Sequence, residues 1–240
     1  MNHLFVSDSS QNNVNIYYLK ESLSNLIFSD INNELSINNF RIGLLLNVDE
    51  KSNVIANEEL IDKISDVIAV GYKYKFFKKN LSVGGLNQNE LDLLITSLIS
   101  ADLKEDKRYI RSKFNQSSEV AIDGFYNFKL INLKRKWQEI CSYIPEYFYK
   151  DELNDFIKYI VKDGRGRKIT IIGEKVFDRF GKQLNRHKLI GENNQLTVLK
   201  EALLTGSDEI IIKKAPNELD LSYLKEYFAD KIFFKLDENL

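Results

Sequence analysis

The stretch IDGFYNFKLINLKRKWQEICSYIPEYF, Ile122 to Phe148, constrains the fold more than any other part of the chain. It holds the only Trp and the only Cys. Its apolar residues Tyr126, Leu130, Leu133, Trp137, Ile140, Cys141 and Ile144 recur at three and four, which is the period of one helical face. Such a face has to be buried, so the rest of the chain is expected to cover it. The opposite face carries Lys129, Lys134, Arg135, Lys136 and Glu139, a solvated surface with a basic bias. A single cysteine forms no internal disulfide, and Cys141 on the apolar face reads as a buried, inert thiol.

Around this stretch the period changes along the chain. His3–Val6 suits a first strand, followed by a turn-rich loop, SDSSQNN, and a helix with Ile16, Leu19, Leu23, Leu26 and Ile27 on one face. Residues 32–39 read as a polar loop. Phe40–Val48 reads as a strand buried on both faces at its centre, because Leu44, Leu45 and Leu46 are consecutive. Asn57 is placed as the cap of the next helix, whose stripe runs through Leu60, Ile64, Val67 and Ile68. The lysines Lys73, Lys75, Lys78 and Lys79 then gather near its C-terminal carbonyls.

Val83-Gly84-Gly85 is the candidate linker of the first half, and Asn87 with Glu90 three residues on has the form of a capping box. Leu91, Leu94, Ile95, Leu98 and Ile99 begin a long stripe with a break expected near Asp102. Pro145 interrupts the central helix, and another helix follows with Tyr149, Leu153, Phe156, Ile157, Ile160 and Val161 on one face. After the loop KDGRGRK, Lys162 to Lys168, the period falls to two. Ile169–Ile172 and Val176–Arg179 form a hairpin, Gly206 stops a helix through Leu196, Leu199, Ala202 and Leu203, and the chain closes as Glu209–Lys213, a helix, and Lys231–Leu236. A strand, helix and strand with short connections is a right-handed crossover with parallel strands. The expected class is α+β: an N-terminal α/β part over 1–86, a central helical bundle over 87–162, and a C-terminal α/β part over 163–240. The sheets are small and mixed, and the two ends either share one sheet or form two.

Chemistry is harder to find. Two histidines and one cysteine allow no zinc spacing and few bases for a triad. No Walker loop, dinucleotide fingerprint or calcium loop is present, no cofactor is implied, and the carboxylates are scattered. The net charge of -1 gives no global pull toward a polyanion, but it is uneven. Residues 1–70 carry 4 Lys and Arg against 10 Asp and Glu, residues 71–140 carry 13 against 8, and residues 141–240 carry 17 of each. Two groups of cations therefore stand as candidates for anion or nucleic-acid binding. One is Arg165, Arg167 and Lys168 in the Gly-Arg loop, where alternating glycines turn N–H groups outward. The other is Lys134, Arg135 and Lys136 beside Trp137, joined by Lys73, Lys75, Lys78 and Lys79 among Tyr72, Tyr74, Phe76 and Phe77. Helical spacing, however, places most of those aromatics in the core. No apolar stretch approaches the ~20 residues of a membrane helix and no signal peptide is evident, so a cytoplasmic protein is expected.

Gly124-Phe125 with Phe128-Lys129-Leu130, then Leu153, Phe156-Ile157 and Ile160-Val161, resemble the helical centre of the YtxC-type sporulation proteins of endospore-forming Firmicutes. Downstream, Leu199-Lys200-Glu201-Ala202-Leu203-Leu204, Glu209-Ile210-Ile211-Ile212 and Phe228-Ala229-Asp230-Lys231-Ile232 follow in the same order. The resemblance covers roughly the C-terminal half. Lys129 stands where the family pattern has Arg, and the end of this chain lacks the cysteines that some members carry. The resemblance implies a cytoplasmic, sporulation-associated protein with no catalytic residues to transfer. The function expected from it is a non-enzymatic module binding a protein partner. The alternative is a nucleic-acid-binding protein using the basic middle and the Gly-Arg loop, and an enzyme acting on a phosphorylated small molecule ranks third.

Overall fold

The computed structural model describes residues 2–24, 32–38, 40–48, 53–114, 117–162, 164, 166–191 and 195–235. The protein is α+β, with one mixed sheet of four strands and another of five. Among the described residues the N-terminal and C-terminal strands therefore lie in separate sheets. The chain forms two compact units instead of three consecutive parts. Residues 1–76 and 104–140 make the first, and residues 77–103 and 141–240 make the second. The central helices are thus divided between the units rather than forming a bundle of their own.

In the first unit, β1 (Asn2–Ser9) leads through a single 3-10 turn into α1 (Asn13–Ser24), and β2 (Asn32–Ile37) and β3 (Arg41–Val48) follow. Leu4 and Val6 of β1 and Leu44 and Leu46 of β3 are buried, while Phe5 and Leu45 on the other face are only part-buried, so the centre of β3 is not fully covered on both faces as its consecutive leucines suggested. Against the buried face lie Ile16, Leu19 and Leu23 of α1. The segment over 32–39, read as a polar loop, is largely strand. β2 pairs antiparallel with β3 at the sheet edge, where polar side chains cost nothing because one side faces water. Phe40 is outside β3 and exposed.

The next helix, α2 (Asn53–Asp66), begins four residues before Asn57, so Asn57 lies inside it and is not its cap. A buried π-helical segment, Val67–Tyr72, continues it into α3 (Lys73–Asn80). A π turn holds one residue more than an α turn, which rotates everything beyond it by about 100°. The residues at its two ends, Asp66 on one side and Tyr72 and Lys73 on the other, are all buried and all hydrogen-bonded by side chains.

The long helix α4 (Gln88–Ser112) opens with the capping box read from the sequence: the Glu90 N–H donates to Asn87 Oδ1 at 3.1 Å, and the Asn87 N–H donates to Glu90 Oε2 at 2.9 Å. It kinks at Asp102, whose φ of -125° and ψ of 15° leave the helical region. The strand β4 (Glu119–Ala121) pairs parallel with β1 and completes the order β2-β3-β1-β4. The stretch Ile122 to Phe148 is not one helix. It forms α5 (Ile122–Lys129) and α6 (Ile131–Tyr143), separated at Leu130, where φ is -114° and ψ is 32°. Leu130, Leu133 and Trp137 are buried as the stripe demanded, and Cys141 is buried, with its thiol pushed up by that burial.

In the second unit, α7 (Lys150–Lys162) precedes a sheet of order β7-β6-β5-β8-β9. Strands β5 (Arg167–Ile172) and β6 (Lys175–Asp178) form the expected hairpin, extended by β7 (Gln183–Leu184). Helix α8 (Thr197–Thr205) ends at Gly206, whose N–H bonds to Ala202 and Leu203. Strand β8 (Ser207–Lys214), α9 (Glu218–Phe228) and β9 (Ile232–Phe234) make the crossover, with β8 and β9 parallel as expected. Leu236, the last residue assigned to that strand from sequence, is outside the described residues. Ile169, Ile171, Ile210 and Ile212 of the sheet are buried, as are Val198, Leu199 and Leu203 of α8 and Leu224 and Phe228 of α9.

Val83–Gly85 is not a linker. The Gly84 N–H donates to the Glu146 carbonyl at 2.8 Å, and the Phe148 N–H donates to the Gly84 carbonyl at 3.0 Å, forming a short parallel bridge. Gly85 has φ +86°, and a Cβ there would sit 2.5 Å from the Phe148 carbonyl oxygen and 2.9 Å from the Tyr147 ring. Only glycine meets both demands. Among the described residues no helix is long and apolar enough to cross a membrane.

Candidate functional site

The cations singled out by the sequence fall into the two units, Arg167 and Lys168 in the second and Lys134, Arg135 and Lys136 in the first. Arg165 lies outside the described residues. In the Gly-Arg loop the Gly166 N–H, the group that would cradle an anion, already donates to the Asp208 carboxylate. Asp208 also takes the Lys231 ammonium at 2.7 Å. Burial works against that carboxyl's charge, yet Lys231 and the Gly166 amide hold it below the usual range. Arg167 donates to the Thr205 carbonyl at 3.3 Å, and Lys168 meets Glu209 at 2.7 Å.

The basic helix is spent in a similar way. Lys136 reaches Asp106 at 2.8 Å, and Lys134 donates to the Asn127 carbonyl and lies 4.9 Å from the centre of the Tyr126 ring. Arg135 is exposed. Asp106 is fully buried, as are the two further donors that it binds, Lys73 at 2.7 Å and the Trp137 indole N–H at 2.9 Å. Lys73 therefore stands in the core rather than at solvated carbonyls. Tyr72, Tyr74 and Phe77 are buried too, so those aromatics do not line an exposed strand-binding groove.

The structure gathers a polar cluster that the sequence did not flag, at the C-terminal ends of the parallel pair β1 and β4. Asp8 Oδ1 accepts from the Ser9 N–H, Asn12 Nδ2 and the Tyr72 hydroxyl, and Asp8 Oδ2 accepts from Asn15 Nδ2, all at 2.7–3.1 Å. Lys75 Nζ donates to Asn12 Oδ1 at 2.6 Å, and burial lowers its affinity for the proton. Arg41 forks onto Asp123, at 2.8 and 3.2 Å, and also donates to Ser7 Oγ. The ends of parallel strands are where α/β sheets usually bind ligands. Here, however, two acids face two bases, and the buried carboxylate has all its partners within the chain.

A third feature lies in the second unit, between α6 and α7. Tyr143, Tyr147 and Tyr149 are 77%, 55% and 64% exposed. The Tyr147 and Tyr149 rings meet edge to face, with centres 4.9 Å apart and planes at 62°. The Gly84 bridge holds the backbone under Tyr147 from below, and the Tyr149 N–H is fixed by Glu152 Oε2 at 2.8 Å. Comparison with family models, with curated proteins and with solved structures finds no match for this chain.

The chemistry must therefore come from the geometry. Among the described residues no three His, Cys, Asp or Glu side chains gather as metal ligands. The buried networks around Asp106, Asp8 and Glu201 bind donors of their own chain, and the last takes Arg186 at 2.8 Å and the His187 N–H at 3.0 Å. The Tyr147–Tyr149 ledge differs in kind. It is aromatic and more than half exposed, with the Tyr147 ring resting on the Gly84-Gly85 backbone. The sequence places Tyr149 on the apolar face of the helix after Pro145, whereas the structure leaves it before α7 and exposed; the signal for this is that four tyrosines and phenylalanines crowd into residues 143–149, too densely for one helical face to bury.

Proposed function

We propose that this chain is a non-enzymatic protein-binding module associated with sporulation, acting in the cytoplasm of an endospore-forming bacterium. The resemblance of its C-terminal half to the YtxC-type proteins supports the process and the compartment. The observation that carries the binding mode is the Tyr147–Tyr149 ledge, two exposed rings in contact on a backbone pinned by Gly84. Tyrosine is enriched where few residues carry most of a binding energy, because it offers large contact area at small entropic cost. Scattered exposed apolar residues are ordinary, but paired rings on a fixed support are preorganised for a partner. The nucleic-acid alternative draws less support, since Lys136, Lys168 and the Gly166 amide are bound to carboxylates of the chain itself.

The test is a photo-crosslinking amino acid in place of Tyr149 in sporulating cells, together with a chromosomal Tyr147→Ala/Tyr149→Ala double variant. A discrete adduct with another protein, and a fall in spore yield matching that of a deletion strain, are expected. Normal spore yield after deletion would overturn the sporulation role, and no adduct would overturn the protein-partner role.

A further inference from the structure

We infer that the tyrosine ledge recognises a basic segment of its protein partner, with arginine or lysine side chains seated on the Tyr147 and Tyr149 rings. This inference rests on the protein-binding reading and adds the partner's chemistry. Two rings at 62° form a corner, and a ring's negative face attracts a guanidinium or ammonium placed over it. The charge of the segment that carries the corner has the matching sign. Residues 143–155 carry four carboxylates, Glu146, Asp151, Glu152 and Asp155, against one lysine, Lys150. That lysine has a carboxylate of its own within reach, Glu90 at 3.9 Å. Glu146 is exposed and immediately precedes Tyr147, while Asp151 and Glu152 open α7, where negative charge is favoured by the helix dipole. A partner with negative charge would meet repulsion from these carboxylates, of which Glu152 also holds the Tyr149 N–H. Exposed aromatic rings on a segment rich in carboxylates favour cations by charge and by ring contact.

The experiment measures binding of the full-length protein to three labelled peptides of equal length, an Arg-Gly repeat, a Ser-Gly repeat and a Glu-Gly repeat, by fluorescence anisotropy at low and physiological salt. The Arg-Gly peptide is expected to bind and the other two are not. Tyr149→Ala, whose ring is largely exposed, is expected to weaken binding about two- to fivefold, and Tyr149→Phe, which keeps the ring, to retain it. Glu146→Gln should weaken binding by a similar factor and flatten the salt dependence. Tyr147 packs over Gly85, so Tyr147→Ala is the second variant and is read only with an unchanged thermal unfolding profile. Absence of Arg-Gly binding at low salt, or binding undiminished in Tyr149→Ala, would overturn the inference. Tyrosine-dependent binding of the Ser-Gly or Glu-Gly peptide would also overturn it, yet leave the ledge as a protein-binding surface. A crosslinked partner lacking any basic segment at the adduct would separate the two conclusions in the same direction.

Discussion

Replacing Asp106 tests whether the first unit is held by a buried charge network. Its carboxylate accepts from Lys73 at 2.7 Å, Lys136 at 2.8 Å and the Trp137 indole at 2.9 Å. Asp106→Asn keeps the size and one acceptor oxygen but loses the charge that compensates Lys73 in the interior. Breaking a buried ion pair from one side costs about 3–5 kcal/mol, and the retained amide oxygen recovers part of that, so a loss of about 2–4 kcal/mol is expected. Lys136 is 38% exposed at its side chain and turns to water at little cost. Lys73→Met alone removes the buried ammonium and leaves the carboxylate with Lys136 and Trp137, a smaller loss. In the double variant no buried charge remains without its counter-ion, so its cost should fall below the sum of the single losses by about 1–3 kcal/mol. The assay is equilibrium urea unfolding followed by fluorescence of Trp137, the only tryptophan, which reports this site directly. A loss under about 1 kcal/mol for Asp106→Asn, with additive single variants, would refute the reasoning.

The same network sets part of the acid limb. Burial opposes the Asp106 charge, but Lys73, Lys136 and Trp137 overcome it and hold the carboxyl below its ordinary value. Its contribution is therefore full above the unfolded pKa of about 3.9 and is lost as pH falls through the lower folded value. Stability measured from neutral pH to pH 3 should fall less steeply in Asp106→Asn than in the parent. Gly85→Ala should destabilise more than Gly181→Ala in thermal unfolding: both have positive φ, at about 1–2 kcal/mol each, but only at Gly85 does the new Cβ meet backbone. Asn87→Ala removes the acceptor for two N–H groups of α4 and should cost about 1 kcal/mol in the same measurement, with Asn87→Ser close to the parent. Glu201→Ala leaves the buried Arg186 without the carboxylate it bonds and should cost about 3–5 kcal/mol by urea unfolding, whereas Glu209→Ala, at an exposed pair with Lys168, should stay within about 1 kcal/mol.

What the sequence made legible were features encoded within a few residues. The Asn87–Glu90 box, the break at Asp102, the β5–β6 hairpin, the stop at Gly206 and the parallel β8–β9 pair each depend on local backbone chemistry or on one short connection. What stayed hidden depends on partners far along the chain. Lys73 reads as a solvated helix-end cation until Asp106, 33 residues on, meets it in the core. Asp8 reads as loop chemistry until Tyr72 arrives from 64 residues away. The strand β2, NNELSI, has only Leu35 and Ile37 in alternation to announce it, because an edge strand takes its hydrogen bonds from β3 and needs little burial. The division of Ile122–Phe148 at Leu130 is of the same type: the apolar stripe runs through the break, so periodicity alone joins two helices. The candidate site suffered most, since Arg167, Lys168 and Lys136 could be named from composition, but their carboxylate and carbonyl partners could not.

Unused bonding capacity is what a surface offers a partner, and in this chain it is unevenly placed. A charge bound to an internal counter-ion must lose that partner before it can take another, so each swap returns little net free energy. Asp8, with four donors on one carboxylate, and the Arg41–Asp123 fork have been matched within the fold. Their role is to hold α1, β3 and α5 at the strand ends, which is also where sequence reading expects only turns. Aromatic rings follow a different rule. The Tyr147–Tyr149 contact leaves the two residues 55% and 64% exposed, and a cation added over exposed ring surface displaces only water. Under the proposed function, recognition gathers at this aromatic corner because a partner gains there without first displacing an internal counter-ion.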